Sequence, residues 1–187
     1  MTLSHPLLIL LICCLATLLP AVSHGAGSAS PNAGDITIKA DAMTQDPAED
    51  TYNANGHVVV EWQGAVITAD HASYNRKTGM LTATGNVVMT KDGNVMHGAW
   101  FTFDVATGRG ELERATLTTA QGNLTVSGEK IVRVDENHLV LNKTEFTTCD
   151  VPHPSWKFDA EKLDVNLLGY AIGRNITFYV KDIPVLY

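Results

Sequence analysis

Ala54-Asn55-Gly56-His57-Val58-Val59-Val60-Glu61-Trp62-Gln63-Gly64 recurs 29 residues later as Ala83-Thr84-Gly85-Asn86-Val87-Val88-Met89-Thr90-Lys91-Asp92-Gly93. The two copies share an Ala-x-Gly-x-Val opening and a closing glycine turn. Around them, Ala40-Asp41 returns as Ala69-Asp70, Gly79 as Gly108, and Tyr74 aligns with Phe103. The turn returns a third time at Gln121-Gly122. A spacing of this size means stacked units, none of which can bury its own hydrophobic face alone.

The unit is made of strands. From His57 to Gln63, Val58, Val60 and Trp62 face one way, while His57, Val59, Glu61 and Gln63 face the other. Val59 is an apolar exception on the outer side. Gly64 marks a turn into a return strand, Ala65 to Thr68. Val87–Thr90 and Val95–Ala99 flank Lys91-Asp92-Gly93-Asn94, a hairpin signal. Trp100–Val105 alternates again, with Phe101, Phe103 and Val105 on one side. Glu111–Thr118, Leu124–Val126, Lys130–Val134 and His138–Leu141 continue the series. No stretch beyond the first 35 residues keeps a helical period over three turns, and Thr, Val and Gly are abundant. The expected fold is all-β: a twisted, open β-jellyroll or β-solenoid-like stack built from repeats of about 29 residues.

Charge divides the chain of 187 residues. No Lys, Arg, Asp or Glu precedes Asp35, and Leu7 to Leu19 is almost wholly apolar, followed by Pro20 and small residues. We read 1–25 as a signal peptide, although its start lacks a positive charge, with an uncleaved anchor as the alternative. Adjacent Cys13 and Cys14 are not preceded by the small residue a lipoprotein site needs. Residues 26–34, rich in Gly, Ser, Ala, Asn and Pro, form a flexible lead. Residues 35–148 are the repeat-built jellyroll, and 149–187 a terminal β segment. The formal charge of −7 lies wholly in the exported part and argues against binding a nucleic acid. Cys149 is the one cysteine of that part, either a buried, inert thiol or half of a bond to a partner.

Catalytic signatures are missing: there is no G-x-S-x-G, H-E-x-x-H, C-x-x-C or phosphate-binding glycine loop. Carboxylates such as Asp46, Asp92 and Asp135-Glu136 sit beside turn residues. Asp41 and Asp70 repeat, which points to a structural task such as accepting turn N–H bonds. His57, His71, His97, His138 and His153 show no ligand spacing. The expectation is a protein that is not an enzyme and uses no metal or cofactor.

The end of the chain is more specific. Phe146-Thr147-Thr148-Cys149, then Pro152-x-Pro154-x-Trp156, Ala160 and Phe178-Tyr179-Val180-Lys181-Asp182-Ile183-Pro184-Val185-Leu186-Tyr187 resemble the N-terminal periplasmic domain of the outer-membrane lipopolysaccharide-assembly (organic solvent tolerance) family. The Ala-x-Gly-x-Val units resemble the fold shared by the periplasmic proteins of the same pathway. The resemblance covers about Asp35 to Tyr187. It implies an open β-jellyroll at the periplasmic face of the outer membrane that stacks edge to edge with a periplasmic bridge protein. Its interior receives the acyl chains of lipopolysaccharide and passes them to an outer-membrane β-barrel plugged by a lipoprotein. It also implies that Cys149 forms a long-range disulfide with the barrel. The chain stops on apolar residues in mid-pattern, as though cut from something longer, at the threshold of that barrel.

On this reading Val58, Val60, Trp62, Val87, Met89, Phe101 and Phe103 line a lipid groove, and Trp156, Pro184 and Tyr187 lie at a barrel-proximal seam. Burying a lipid tail there gains about 0.8 kcal/mol per methylene. Edge strands at both ends would remain unpaired and serve as docking surfaces. The alternative is a closed structural or protein-binding module whose interior is an ordinary core.

Overall fold

Strands that follow one another in the chain also lie side by side. The computed structural model describes residues 36–119, 124–135, 137–166 and 168–187. The expected signal peptide (1–25), the flexible lead (26–34) and the Gln121-Gly122 turn lie outside the described residues. The strands are β1 (Thr37–Lys39), β2 (Ala42–Asp46), β3 (Thr51–Trp62), β4 (Ala65–Asn75), β5 (Met80–Lys91), β6 (Asn94–Asp104), β7 (Gly110–Thr118), β8 (Thr125–Asp135), β9 (His138–Thr147), β10 (Trp156–Asn166), β11 (Tyr170–Val180) and β12 (Ile183–Leu186). They form one 12-stranded antiparallel sheet that meanders from β3 to β12 and does not close. β1 and β2 share the outer edge of β3, pairing with its two ends, and β12 is the opposite edge. The all-β, open-sheet expectation is met.

Tight turns set this topology. Gln63-Gly64 and Asp92-Gly93 both have positive φ at both residues, the type I′ geometry that matches the twist of the strands they join. Lys181-Asp182 makes the same turn without a glycine. Asp104 organises the turn after β6: its Oδ1 accepts the backbone N–H of Ala106 (2.9 Å) and Thr107 (3.2 Å), and its Oδ2 accepts the Thr107 hydroxyl (2.6 Å).

Most strands are longer than their sequence pattern suggests. Val95–Ala99 and Trp100–Val105, read as two strands, fall in one strand, β6, which ends at Asp104; Leu124–Val126 and Lys130–Val134 fall in β8, which starts at Thr125. The reason is a change of phase in mid-strand. In β4 the buried positions run Ala65, Ile67, Ala69 and then Ala72; in β7, Leu112 and then Ala115, Leu117; in β9, Leu139, Leu141 and then Thr144, Phe146. Two successive residues point outward at each switch, which interrupts a simple alternation without ending the strand.

On alternate strands the switch coincides with backbone in the left-handed region: Gly56 and His57 on β3, Gly85 and Asn86 on β5, Arg114 on β7, Lys143 on β9 and Asn175 on β11. The first four of these sites keep the 29-residue spacing, so the conformational repeat outlasts the glycines that announce it. A carboxylate meets four of the five, from the bend between β1 and β2 at the first and from the preceding strand at the other three. Asp41 Oδ2 contacts His57 Nδ1 at 2.6 Å, Asp70 Oδ2 accepts from Asn86 Nδ2 at 2.9 Å, Glu129 pairs with Lys143 at 2.6 Å, and Glu161 accepts from Asn175. Asp41 and Asp70 thus have a structural task, as expected, but at strand kinks rather than at turns. Irregularities of this kind bend a strand and sharpen its twist, and here they fold the sheet over its own inner face. Trp62 at the end of β3 reaches Phe103 of β6, three strands away, with ring centroids 4.9 Å apart.

The inner face carries two apolar clusters. The first joins β3 to β7 through residues such as Val60, Leu81, Ala83 and Leu112; the second joins β7 to β11 through Leu117, Val126, Leu141, Leu163 and Val165. Met96 and Ile131 pack against both. The change of texture at Cys149 falls in the loop between β9 and β10, and the sheet continues across it.

Candidate functional site

Where the two clusters meet there is a cavity of about 100 Å³. Leu81 and Leu112 of the first cluster, Leu117, Val126, Leu139 and Leu141 of the second, and the shared Met96 and Ile131 form much of its wall. Trp62, Phe101 and Phe103 border it as an aromatic group, the two phenylalanine rings stacked with centroids 6.1 Å apart. The cavity is on the scale of apolar cavities of about 150 Å³ that stay dry and take up a benzene-sized guest.

All seven predicted lining residues point to the inner face. Val58, Val60, Val87, Met89, Phe101 and Phe103 are buried, and Trp62 is partly buried against them. The structure separates them into two groups. Trp62, Met89, Phe101 and Phe103 border the cavity, whereas Val58, Val60 and Val87 are fully packed within the first cluster. Alternation identifies which face a side chain takes. It does not distinguish a wall from a filled core, because both are apolar.

Lys91, Glu111 and Arg133 also touch the cavity, but its wall is almost wholly apolar. Glu111 accepts a 2.5 Å contact from Lys130, and that hydrogen bond holds the Lys130 ammonium above the usual lysine range. The Trp62 indole N–H is buried without a hydrogen-bond partner. No sequence signal marks these groups; they emerge only when strand ends are brought over the inner face.

The predicted seam is distributed differently. Trp156 starts β10 and packs in an aromatic row with Phe158 and Phe178, centroids 5.9 and 6.3 Å away, while Phe146 stacks on Phe158 at 4.9 Å. Pro184 lies on the edge strand β12 opposite Tyr179, and Tyr187 is 85% exposed. Ile183, Val185 and Leu186 beside them are also exposed. Cys149 is a free, partly buried thiol, its backbone N–H donating to Thr147 Oγ1 at 3.0 Å.

On the outer face of the second half, Asp159 and Glu145 are directly paired across β10 and β9, with Lys157 Nζ 2.6 Å from Glu145. Burial pushes the Asp159 carboxyl above the usual carboxylate range, against the pull of Lys157, and its Oδ1 has no hydrogen-bond partner. Among the described residues, no group of three or more His, Cys, Asp or Glu could hold a metal ion.

No protein-family model matches the chain. Curated relatives do. The LPS-assembly protein LptD of Acinetobacter baumannii is 29% identical over 151 residues, 80% of this chain and 18% of that protein. Its counterpart in Acinetobacter baylyi is 24% identical over 92% of this chain and 21% of that protein. The LptD of Neisseria meningitidis serogroup A is 25% identical over 89% of this chain and 21% of that protein. The chain therefore spans about a fifth of the length of these relatives. Among solved structures, LptH of Pseudomonas aeruginosa, the LptA-homologous periplasmic component of a lipopolysaccharide transport device, overlaps 56% of this chain and 78% of its own. That match has a TM-score of 0.48 and 20% identity. The resemblance carried by the repeats and the terminal motifs is borne out: over 80–92% of its length this all-β, open-sheet chain is similar to curated proteins named LPS-assembly protein LptD.

Proposed function

We propose that this domain conducts lipopolysaccharide, sheltering its acyl chains between the two halves of the bent sheet. The observation that carries the reading is the cavity at the junction of the two clusters, bordered by Trp62, Met89, Phe101 and Phe103. A void of about 100 Å³ is a starting point for hydrocarbon entry, and the seam at Met96 and Ile131 widens as chains enter. Each methylene moved from water to this wall contributes about 0.8 kcal/mol. The unclosed sheet supports such widening, because its two edges are not tied to each other.

The lipid would arrive from a periplasmic bridge protein of the same fold, docked by strand addition at the β1/β2 edge, and leave toward an outer-membrane barrel and its plug lipoprotein near β12. The exposed apolar side chains of β12 suit a continuation of the sheet into that neighbour. Cys149, free and partly buried beside β10, would supply a disulfide to the barrel. The domain would work at the periplasmic face of the outer membrane, by binding and transfer rather than catalysis.

In-cell photo-crosslinking tests this, with a reactive residue at Met89, Phe103, Val60 or Glu61 in the exported protein. Lipopolysaccharide adducts are expected at Met89 and Phe103, fewer at the fully packed Val60, and none at the exposed Glu61. A second reading, a closed protein-binding module, is favoured by the complete burial of Val58, Val60 and Val87. It predicts no adduct at any of the four sites in a folded, exported chain.

A further inference from the structure

Lys162 of β10 and Arg174 of β11 are directly paired across the two strands, so their side chains leave the sheet side by side. Leu163 and Val165 of β10 are buried in the second cluster, which puts the two cations on the outer face. Neither side chain has a hydrogen bond or an ion pair among the described residues. The outward carboxylates beside them are already engaged: Asp164 contacts His138 at 2.7 Å, and Glu161 accepts from Asn175. On β9 the residue opposite Lys162 is the neutral Asn142. Like charges directly opposite each other in a sheet repel, and an anion placed between them would relieve the repulsion. Toward the hairpin end the surface turns apolar. Ile172 and Tyr170 are exposed opposite Asp164 and Asn166, and Leu168 in the turn is 79% exposed.

We propose that the β10–β11 hairpin docks this domain, by its outer face, on an anionic lipid surface. Leu168, Tyr170 and Ile172 enter the interface, and Lys162 and Arg174 meet the phosphates. The order of groups along the hairpin is the order of a leaflet met from water: apolar side chains deepest, cations nearer the solvent. Arg174 lies four residues behind Tyr170, about 13 Å of strand. Interfacial apolar groups sink about 5–10 Å, and a long basic side chain reaches the head groups from behind them. A tyrosine ring suits the level between the two. The formal charge of −7 repels the rest of the chain from such a surface, so contact is confined to this patch and the domain lands in one orientation. The proposal concerns the outer face and stands apart from the lipid-conducting reading of the inner one.

Vesicle flotation of the exported chain tests this, with phosphatidylcholine vesicles made with and without phosphatidylglycerol. The chain should float with the anionic vesicles, less so as salt is raised, and only weakly with the neutral ones. K162Q and R174Q together should weaken binding to the anionic vesicles about thirtyfold, from about fivefold for each basic residue near such a surface. L168S with I172S should weaken it at least about tenfold. K77Q removes an exposed cation from a different turn and should leave binding as it was. The urea midpoint of the K162Q, R174Q chain should not fall, because the change removes a repulsion, and this separates lost docking from lost fold. Equal flotation with both vesicle types, binding unchanged by K162Q and R174Q, or an equal loss in K77Q would overturn the proposal. Flotation with neither vesicle would also overturn it, and would point the two cations toward an acidic protein. The crosslinking at Met89 and Phe103 decides the lipid-conducting reading whichever result is found here.

Discussion

The two halves of the inner face solve the same problem with different materials. From β3 to β7 the core is rich in alanine (Ala54, Ala69, Ala72, Ala83 and Ala115), its aromatic group of Trp62, Phe101 and Phe103 borders the cavity, and its kinks use glycine at Gly56 and Gly85. From β7 to β11 the kinks persist at Arg114, Lys143 and Asn175 without glycine, and a row of Phe146, Phe158, Phe178 and Trp156 fills the space near the strand ends. The first half keeps the backbone repeat by using residues that adopt it freely. The second keeps it against residue preference, with tertiary packing of the second cluster holding the shape. A repeat can therefore survive in conformation after it has faded from sequence, provided each unit still has neighbours to pack on.

The strongest way to break the comparison is through the cores. Phe146→Ala should cost about 3–5 kcal/mol and Leu81→Ala about 2–5 kcal/mol in urea unfolding. Hydrogen exchange should show the loss of protection concentrated in β9–β11 for the first and in β3–β5 for the second. Uniform loss in both variants would mean that the halves are one cooperative unit. Next in size is the seam they share. Met96→Ala should cost about 2–4 kcal/mol by truncating a half-buried side chain that both clusters contact, while increasing uptake of an apolar fluorescent dye. A dye signal unchanged by the substitution would remove the seam as an entry point.

The kinks provide a smaller and signed contrast. At Gly85 φ is 75°, and an added Cβ would overlap Asp70 Oδ2, so Gly85→Ala should cost about 1–2 kcal/mol. Lys143→Gly, at an equivalent kink, should raise the urea midpoint slightly, because the exposed pair it removes with Glu129 is worth little. If both changes destabilised, the charged pairs would be doing more than the backbone argument allows.

The smallest effects are expected in pH dependence, where the halves carry opposite signs. Hydrogen bonds from Thr107, first its hydroxyl, hold the Asp104 carboxyl below its ordinary 3.8. Its contribution is present above pH 3.8 and is lost as pH falls through the lowered folded value. Burial raises Asp159 above 3.8, so the folded state holds that proton longer than the unfolded chain. Its contribution is complete below pH 3.8 and is lost as pH rises through the raised folded value. Asp104→Asn should therefore lower the urea midpoint at neutral pH relative to acid, and Asp159→Asn should raise it at neutral pH. Unfolding curves for both variants from pH 3 to 7 check the two slopes.

Much of the fold is legible from residue patterns. The two-residue turns are visible because Gln63-Gly64 and Asp92-Gly93 place glycine where φ must be positive. The inner face is visible because Val58, Val60, Trp62, Val87 and Met89 alternate within one half-strand. Strand length is less visible, since Ala99-Trp100 and Glu129-Lys130 lie at phase changes that a period of two reads as breaks. The candidate site is the least visible part. Lys91 and Arg133 are 42 positions apart in sequence and look like ordinary solvated charges, yet both border the cavity.

By itself, then, the sequence determined the strand character, the 29-residue unit, the hairpin connections and the similarity to the assembly proteins, because these depend on local preference and short-range order. Only the tertiary structure decided that the strands kink in step, that the sheet bends until Trp62 meets Phe103, and that the interior divides into two clusters with a cavity between them. Those outcomes depend on how far small bends accumulate over many strands. No single stretch of residues encodes that sum.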